Sequence, residues 1–204
     1  MRFFWFAALL LGLSPAVLAE NYNEDDLLEW DWKNNFGKGQ RELTAGGVAY
    51  FSPANGLDGR PTINYAGAFA QLGYMINDLG ASKTCSGNFE GIIEGYGASI
   101  FRGRGSYMTG TTLWLRYNVV PSRWKIVPYF QGGSGITLTD VDRDLLGQTF
   151  NFNLNLATGV RWFIGQRCSL NGEYRFQHVS NAGMAENNSG IDAQAAVLSM
   201  SWFF

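Results

Sequence analysis

The stretch Phe150-Asn151-Phe152-Asn153-Leu154-Asn155-Leu156 alternates an apolar side chain with an amide at every step. Successive side chains of a β-strand point to opposite faces, so this stretch makes a strand with one greasy face and one polar face. The end of the chain repeats the pattern, with Leu198, Met200, Trp202 and Phe204 on one parity and Ser199 and Ser201 on the other. Charges fall on the polar parity: Arg116 lies between Leu115 and Tyr117, Arg161 between Val160 and Trp162, and Glu173 and Arg175 flank Tyr174. A wall that is apolar on one side and carries charges of both signs on the other constrains the fold severely. Either the apolar face fills a soluble ligand-binding barrel such as a lipocalin, or it faces lipid and the charges pair inside a membrane barrel.

Strand-like runs recur near residues 41–51, 62–77, 88–101, 105–118, 124–137, 149–163, 168–179 and 192–204. Turn-rich pieces separate them, including Pro53-Ala54-Asn55-Gly56, Asp78-Leu79-Gly80, Arg102-Gly103-Arg104-Gly105, Pro121-Ser122, Gly165-Gln166-Arg167 and Asn187-Asn188-Ser189-Gly190. Each run is long enough to cross a bilayer when tilted. The expected fold is therefore all-β: an eight-stranded antiparallel transmembrane β-barrel of the bacterial outer membrane over residues 41–204. A barrel of that size fills its interior with side chains and leaves no open pore, and closure removes every unpaired strand edge from lipid. The final Trp202-Phe203-Phe204 resembles the terminal aromatic of many bacterial outer-membrane barrels. An even strand count puts both ends on the periplasmic side. The seventh strand then runs outward and ends near His178.

The first residues fit this destination. Arg2 precedes a short apolar run, Phe3 to Leu13, and Val17-Leu18-Ala19 offers small residues for cleavage before Glu20, so residues 1–19 read as a signal peptide. Residues 20–40 read as a periplasmic or interfacial segment, acidic first and then Trp-containing, either a strand start or an amphipathic piece. A net charge of −2 excludes a basic nucleic-acid binder. Cys85 and Cys168 fall near different turns, and unpaired thiols are expected. No spacing suggests a metal site, and no cofactor is expected. Monomer and homodimer are both open.

The chemistry concentrates in Glu173-Tyr174-Arg175-Phe176-Gln177-His178-Val179-Ser180-Asn181-Ala182-Gly183, which holds the only histidine. His178 and Ser180 share a strand face, about 6.5 Å apart between Cα atoms. That face also carries Leu170, Tyr174 and Phe176, so it is the lipid face. Asp192, at the start of the next strand, shares its face with Leu198 and Trp202. Adjacent antiparallel strands bring such residues within about 5 Å. A serine needs a base to become a nucleophile, a neutral histidine serves as one, and a carboxylate fixes the imidazole tautomer. The three are also costly on a lipid-facing wall unless they bond one another or do chemistry. Oxyanion donors are sought in the following loop, where Gly183 permits close backbone approach and Asn181, Asn187 and Asn188 carry amides.

The run Tyr174 to Gly183 resembles the active-site motif of the lipid A 3-O-deacylases, the PagL or acyloxyacyl hydrolase family. Arg60-Pro61-Thr62-Ile63-Asn64-Tyr65 and Leu115-Arg116-Tyr117-Asn118 also resemble members of that family. The resemblance covers most of residues 41–204, with the histidine motif as its specific part. It implies an eight-stranded outer-membrane barrel with catalytic residues on its outer surface: His178 as base, Ser180 as nucleophile, Asp192 as the acidic member, and Asn181, Gly183 and Asn188 as oxyanion candidates. The family member used for comparison carries glutamate where this chain has Asp192, so the shorter side chain must sit closer to the imidazole. The implied substrate is lipid A of lipopolysaccharide, reached among outer-membrane lipids, and the implied reaction is hydrolysis of the 3-O-linked acyl ester. Arg102 and Arg104 read first as a solvated turn and second as attractors of lipid phosphates. Competing readings are an outer-membrane phospholipase, whose His-x-Ser pair sits on a larger barrel with an amide as third member, and a non-enzymatic structural or adhesion barrel.

Overall fold

The structure, a computed structural model, describes residues 33–53, 62–80, 85–121, 124–141 and 143–204. The expected signal peptide, residues 1–19, lies outside the described residues. Eight strands follow in order: β1 (Arg41–Phe51), β2 (Asn64–Met75), β3 (Cys85–Arg102), β4 (Tyr107–Pro121), β5 (Ile126–Thr139), β6 (Phe150–Gly165), β7 (Cys168–Ser180) and β8 (Ile191–Phe203). Each pairs antiparallel with its neighbour in sequence, and β1 pairs with β8 to close the barrel. Among the described residues no helix is long and apolar enough to cross a membrane; the strands form the wall. Arg41 and Phe204 exchange backbone hydrogen bonds at one end, here the terminal end. The opposite end, the rim, carries the β1–β2, β3–β4, β5–β6 and β7–β8 connections.

The parity read from the sequence holds around the wall. Leu113, Leu115, Leu154, Leu156, Trp162 and Leu198 are exposed, whereas Arg116, Asn153, Asn155, Arg161, Arg175 and Ser201 are buried. The terminal half of the lumen is a network of ions. Arg161 bonds Glu42, Asn118 and, at 3.1 Å, Glu90. Arg116 lies 3.4–3.5 Å from the same two carboxylates and donates to Gln131 at 2.6 Å. Higher up, Arg175 takes Glu94 in a two-point grip at 3.0 and 3.1 Å and Glu173 at 2.8 Å. Its guanidinium also lies over the Trp114 ring, 4.6 Å from the centroid. A guanidinium is suited to this because its planar fork matches a carboxylate while its face packs on an aromatic ring.

The rim half differs from the wholly polar interior that strand parity suggests. There the inward positions are Val48, Tyr50, Tyr65, Met108, Val179, Ile191, Ala193, Ala195 and Val197, which form one apolar cluster with Ile63. A single helical turn in the β5–β6 connection, α2 (Arg143–Leu146), adds Leu145 and Leu146 to that cluster like a stopper. At the terminal end another turn, α1 (Lys33–Phe36), places Phe36 against Phe163 and Phe203, with ring centroids 5.9 and 5.4 Å apart. The described part of the 20–40 segment thus packs into the barrel end. Cys168 is a free thiol; the Cys85 side chain lies outside the described residues.

Removing one ion from the network leaves its partners buried and uncompensated. Arg161→Leu should destabilise the barrel by about 3–5 kcal/mol, and combining it with Glu42→Gln should recover part of that loss. Denaturant unfolding in lipid bilayers measures both.

Candidate active site

The site stands on the outer wall where β7 and β8 approach the rim. The register pairs His178 directly with Asp192, and Val179 with Ile191. Val179 and Ile191 point inward and are fully buried in the apolar cluster. That packing fixes the parity of their neighbours, so His178 and Asp192 must face out. His178 Nδ1 lies 2.6 Å from Asp192 Oδ1, with the two side chains 38% and 29% exposed, so the pair is accessible from outside the barrel. An ionised carboxylate only accepts, so Nδ1 carries the proton, and in the neutral imidazole Nε2 is left as the base. The shorter aspartate finds its partner because it sits directly across the ladder, where Cα atoms are closest.

Ser180 is on the same face of β7, half-buried and opposite Phe152 of β6. No hydrogen bond joins it to His178 in this structure.

The loop after Ser180 is built by Asn181. Its Nδ2 donates to Leu146 O at 2.9 Å and to Asn187 O at 2.7 Å, and its Oδ1 accepts from Gly183 N at 2.8 Å. Both amide protons are used, the side chain is fully buried, and the Gly183 N–H is used with them. Asn188 Oδ1 accepts from Asn181 N at 2.9 Å, which leaves the Asn188 Nδ2 protons on the exposed side of the loop. Asn181 to Met184 close a tight turn, Met184 N to Asn181 O at 3.1 Å. Its centre holds Gly183 at φ 81° and Ala182 at φ 55°. A left-handed alanine is uncommon, and such strain gathers at functional sites.

Two contacts here carry no periodic signal in the sequence. Gly190, at φ 72°, lies so near the imidazole that a Cβ there would sit 3.0 Å from His178 Cε1 and 3.7 Å from Nε2. Any side chain would push the ring away. The β5–β6 connection clamps the same loop, with Ser189 N donating to Leu145 O at 3.0 Å. Gly147 makes the approach possible, since a Cβ on it would meet Asn187 O at 2.5 Å. Gln194 follows Asp192 on the outward face of β8, opposite Phe176. Arg102 and Arg104 are exposed at the rim.

Towards the terminal end, an open groove of about 480 Å³ runs along the outer wall from Phe176 and Leu156, past Gly132, to Phe130, Leu115 and Tyr117. It begins two residue pairs, one same-face step, below His178, since Phe176 pairs with Leu156 as His178 pairs with Leu154. Among the described residues no group of His, Cys, Asp and Glu side chains could hold a metal ion.

Residues 64–201 match the profile of the family described as Lipid A 3-O-deacylase (PagL). The solved structures that share the fold include the following three. The outer membrane enzyme PagL is 17% identical with a TM-score of 0.52, over 76% of this chain and 97% of that one. Neisserial surface protein A is 15% identical with a TM-score of 0.58, over 81% and 99%. The N-terminal β-barrel domain of Pseudomonas aeruginosa OprF is 15% identical with a TM-score of 0.54, over 82% and 99%. No curated protein matches the chain.

Asn181→Ala removes three hydrogen bonds, one of which joins the β7–β8 loop to the β5–β6 connection. It should lower local stability by about 1–3 kcal/mol, with the backbone amides of Gly183 and Ser189 exchanging hydrogen roughly 10- to 100-fold faster. Amides in mid-β7 should keep their protection in the same exchange experiment.

Proposed function

Because the chain belongs to the lipid A 3-O-deacylase (PagL) family of outer-membrane hydrolases, we propose that it is a serine esterase. Its substrate is the acyl chain ester-linked at the 3-position of lipid A. The observation that carries this reading is the 2.6 Å bond between His178 and Asp192 on the outward wall, with Ser180 on the same face.

Each residue has a stated task. Asp192 holds the imidazole with Nε2 unprotonated. Nε2 takes the proton of Ser180 as Oγ attacks the ester carbonyl carbon. The carbonyl oxygen becomes an oxyanion and needs preorganised donors. Asn181 and Gly183 are committed to the loop fold, which supports Asn188 Nδ2 as the donor, its Oδ1 being fixed by Asn181 N. When the tetrahedral adduct collapses, the sugar oxygen leaves and takes the proton from His178. Water, deprotonated by His178, then attacks the acyl-serine, and the free fatty acid departs with Ser180 restored.

The place of the site suits a lipid substrate. With both strand-barrel termini on the periplasmic side, as an even-stranded barrel requires, the rim is extracellular and the site lies in the outer leaflet. The ester would arrive by lateral diffusion. Its acyl chain would lie down the wall over Phe176 and Leu156 into the groove at Gly132. Leaving the chain outside the barrel agrees with a lumen filled by ions and by the α2 stopper.

Mass spectrometry of lipid A incubated with the purified protein tests this. Wild type should release one 3-O-linked acyl chain, while Ser180→Ala and His178→Ala should release none above background. Asp192→Asn should reduce turnover roughly 10³- to 10⁴-fold by freeing the wrong imidazole tautomer. Release of acyl chains from glycerophospholipid but not from lipid A would replace this reading with a phospholipase.

A further inference from the structure

The outer wall carries a second groove, and it shares no lining residue with the one at Gly132. It begins at Arg41, which opens β1 on the outward parity of Leu43 and is exposed. The backbone there is fixed by the two hydrogen bonds to Phe204, and by Gly39 N to Met75 O and Met75 N to Gln40 O, both 2.9 Å. The Arg41 guanidinium makes no hydrogen bond or ion pair with a described residue. The register sets Arg41 directly opposite Tyr74, and Tyr74 directly opposite Gly91 of β3, all on one face. The Tyr74 hydroxyl is likewise unbonded among the described residues. A Cβ on Gly39 would lie 3.9 Å from it, which puts it at the terminal end.

Gly91 opens the wall. Its same-face neighbours on β3, Phe89 and Ile93, are large and exposed, so the missing side chain leaves a slot between them. The groove, about 470 Å³, runs from Arg41 and Tyr74 over Gly91 to Leu72, Ile93 and Leu113. That volume falls in the range of small-molecule sites, roughly 300–1,000 Å³. Its two ends differ in chemistry. A cation and a phenol hydroxyl stand at the membrane boundary, while the apolar residues lie one same-face step nearer the bilayer middle. An arginine that only reached for water would need no slot beneath it.

The occupant must therefore join an anionic head to an apolar chain. An even-stranded barrel keeps both termini on the periplasmic side, so this end lies in the leaflet opposite the catalytic rim. In an outer membrane that leaflet is glycerophospholipid, whose phosphate is an acceptor suited to a guanidinium. The surroundings suit an anion as well. Among the described residues at this end Lys38 and Arg167 are also exposed, and the carboxylate of Asp78 already accepts from Lys38 N at 2.9 Å. We propose that the groove binds one glycerophospholipid of the periplasmic leaflet, with Arg41 and Tyr74 on its phosphate and one acyl chain in the slot over Gly91. The lipid is held there, not cleaved, because His178, Ser180 and Asp192 stand near the rim on β7 and β8.

Native mass spectrometry of the purified protein in detergent micelles tests this, with dioleoylphosphatidylglycerol and the uncharged dioleoylglycerol added in parallel titrations. Wild type should retain one phosphatidylglycerol at a concentration about tenfold below that needed for the diacylglycerol. Arg41→Gln should erase that difference. Gly91→Leu should remove the retained lipid altogether. A Cβ at Gly91 meets only Ile76, at 3.6 and 4.0 Å, so a side chain there fits the fold and fills the slot. Both variants should unfold at the wild-type denaturant midpoint, which separates loss of lipid from loss of fold. Equal retention of the two lipids by wild type would overturn the proposal, and so would phosphatidylglycerol retained undiminished by Gly91→Leu. A doubled protein mass in wild type that Gly91→Leu returns to a single chain would also overturn it, because the groove would then seat a second copy.

Discussion

A peptide group in hydrocarbon finds no water to bond, so a sheet that spans it must satisfy every N–H and C=O within itself. Closing β8 onto β1 meets that demand, and nearly everything else in this chain follows from it. Once the ring is closed, each side chain has only two destinations, and its parity decides which. Lipid takes one set. The other set shares a narrow lumen from which water is largely excluded, so its charges must find one another. Glu42, Glu90, Arg116 and Arg161 do so near the terminal end, and Arg175 with Glu94 and Glu173 at mid-height. The two interiors, ionic below and apolar above, divide the work. The ions define a single arrangement, while the rim cluster gives α2 something to pack against.

The site depends on the same parity. Val179 and Ile191 anchor facing positions of β7 and β8 inside the barrel, and one residue along each strand His178 and Asp192 meet outside it. A one-residue slip between these strands would send one of the pair into the lumen. The ladder thus acts as the jig that holds the imidazole against its carboxylate. The loop beyond is held differently, by Asn181 beneath and by the β5–β6 connection from the side.

Much of this was legible before any coordinates. Strand limits came within a few residues, because alternation and turn residues are local signals. The facing of His178, Ser180 and Asp192 came from counting by twos. What escaped has another origin. The sequence 143–146 has no period to announce that Leu145 and Leu146 close the lumen. The buried amide of Asn181 looks, in sequence, like any exposed loop asparagine, and its bond to Leu146 depends on a loop 35 residues away. Gly190 gave a turn signal, and its contact with the imidazole depends on how β8 begins. Phe36 belongs to a stretch whose alternation suited a strand or an interfacial helix equally, and the aromatic seat made by Phe163 and Phe203 is a long-range fact.

The His178–Asp192 pair has no pocket mouth; it opens sideways, onto a wall flanked by Phe152, Leu154 and Phe176. For such a surface, concentration is counted per unit area, not per volume. Encounters with a lipid are set by its mole fraction among its neighbours, so adding inert amphiphile slows them at constant molarity. Saturation becomes a property of the film. A protein of this shape reads the composition of the sheet around it, and the bulk solution reaches it only through that sheet.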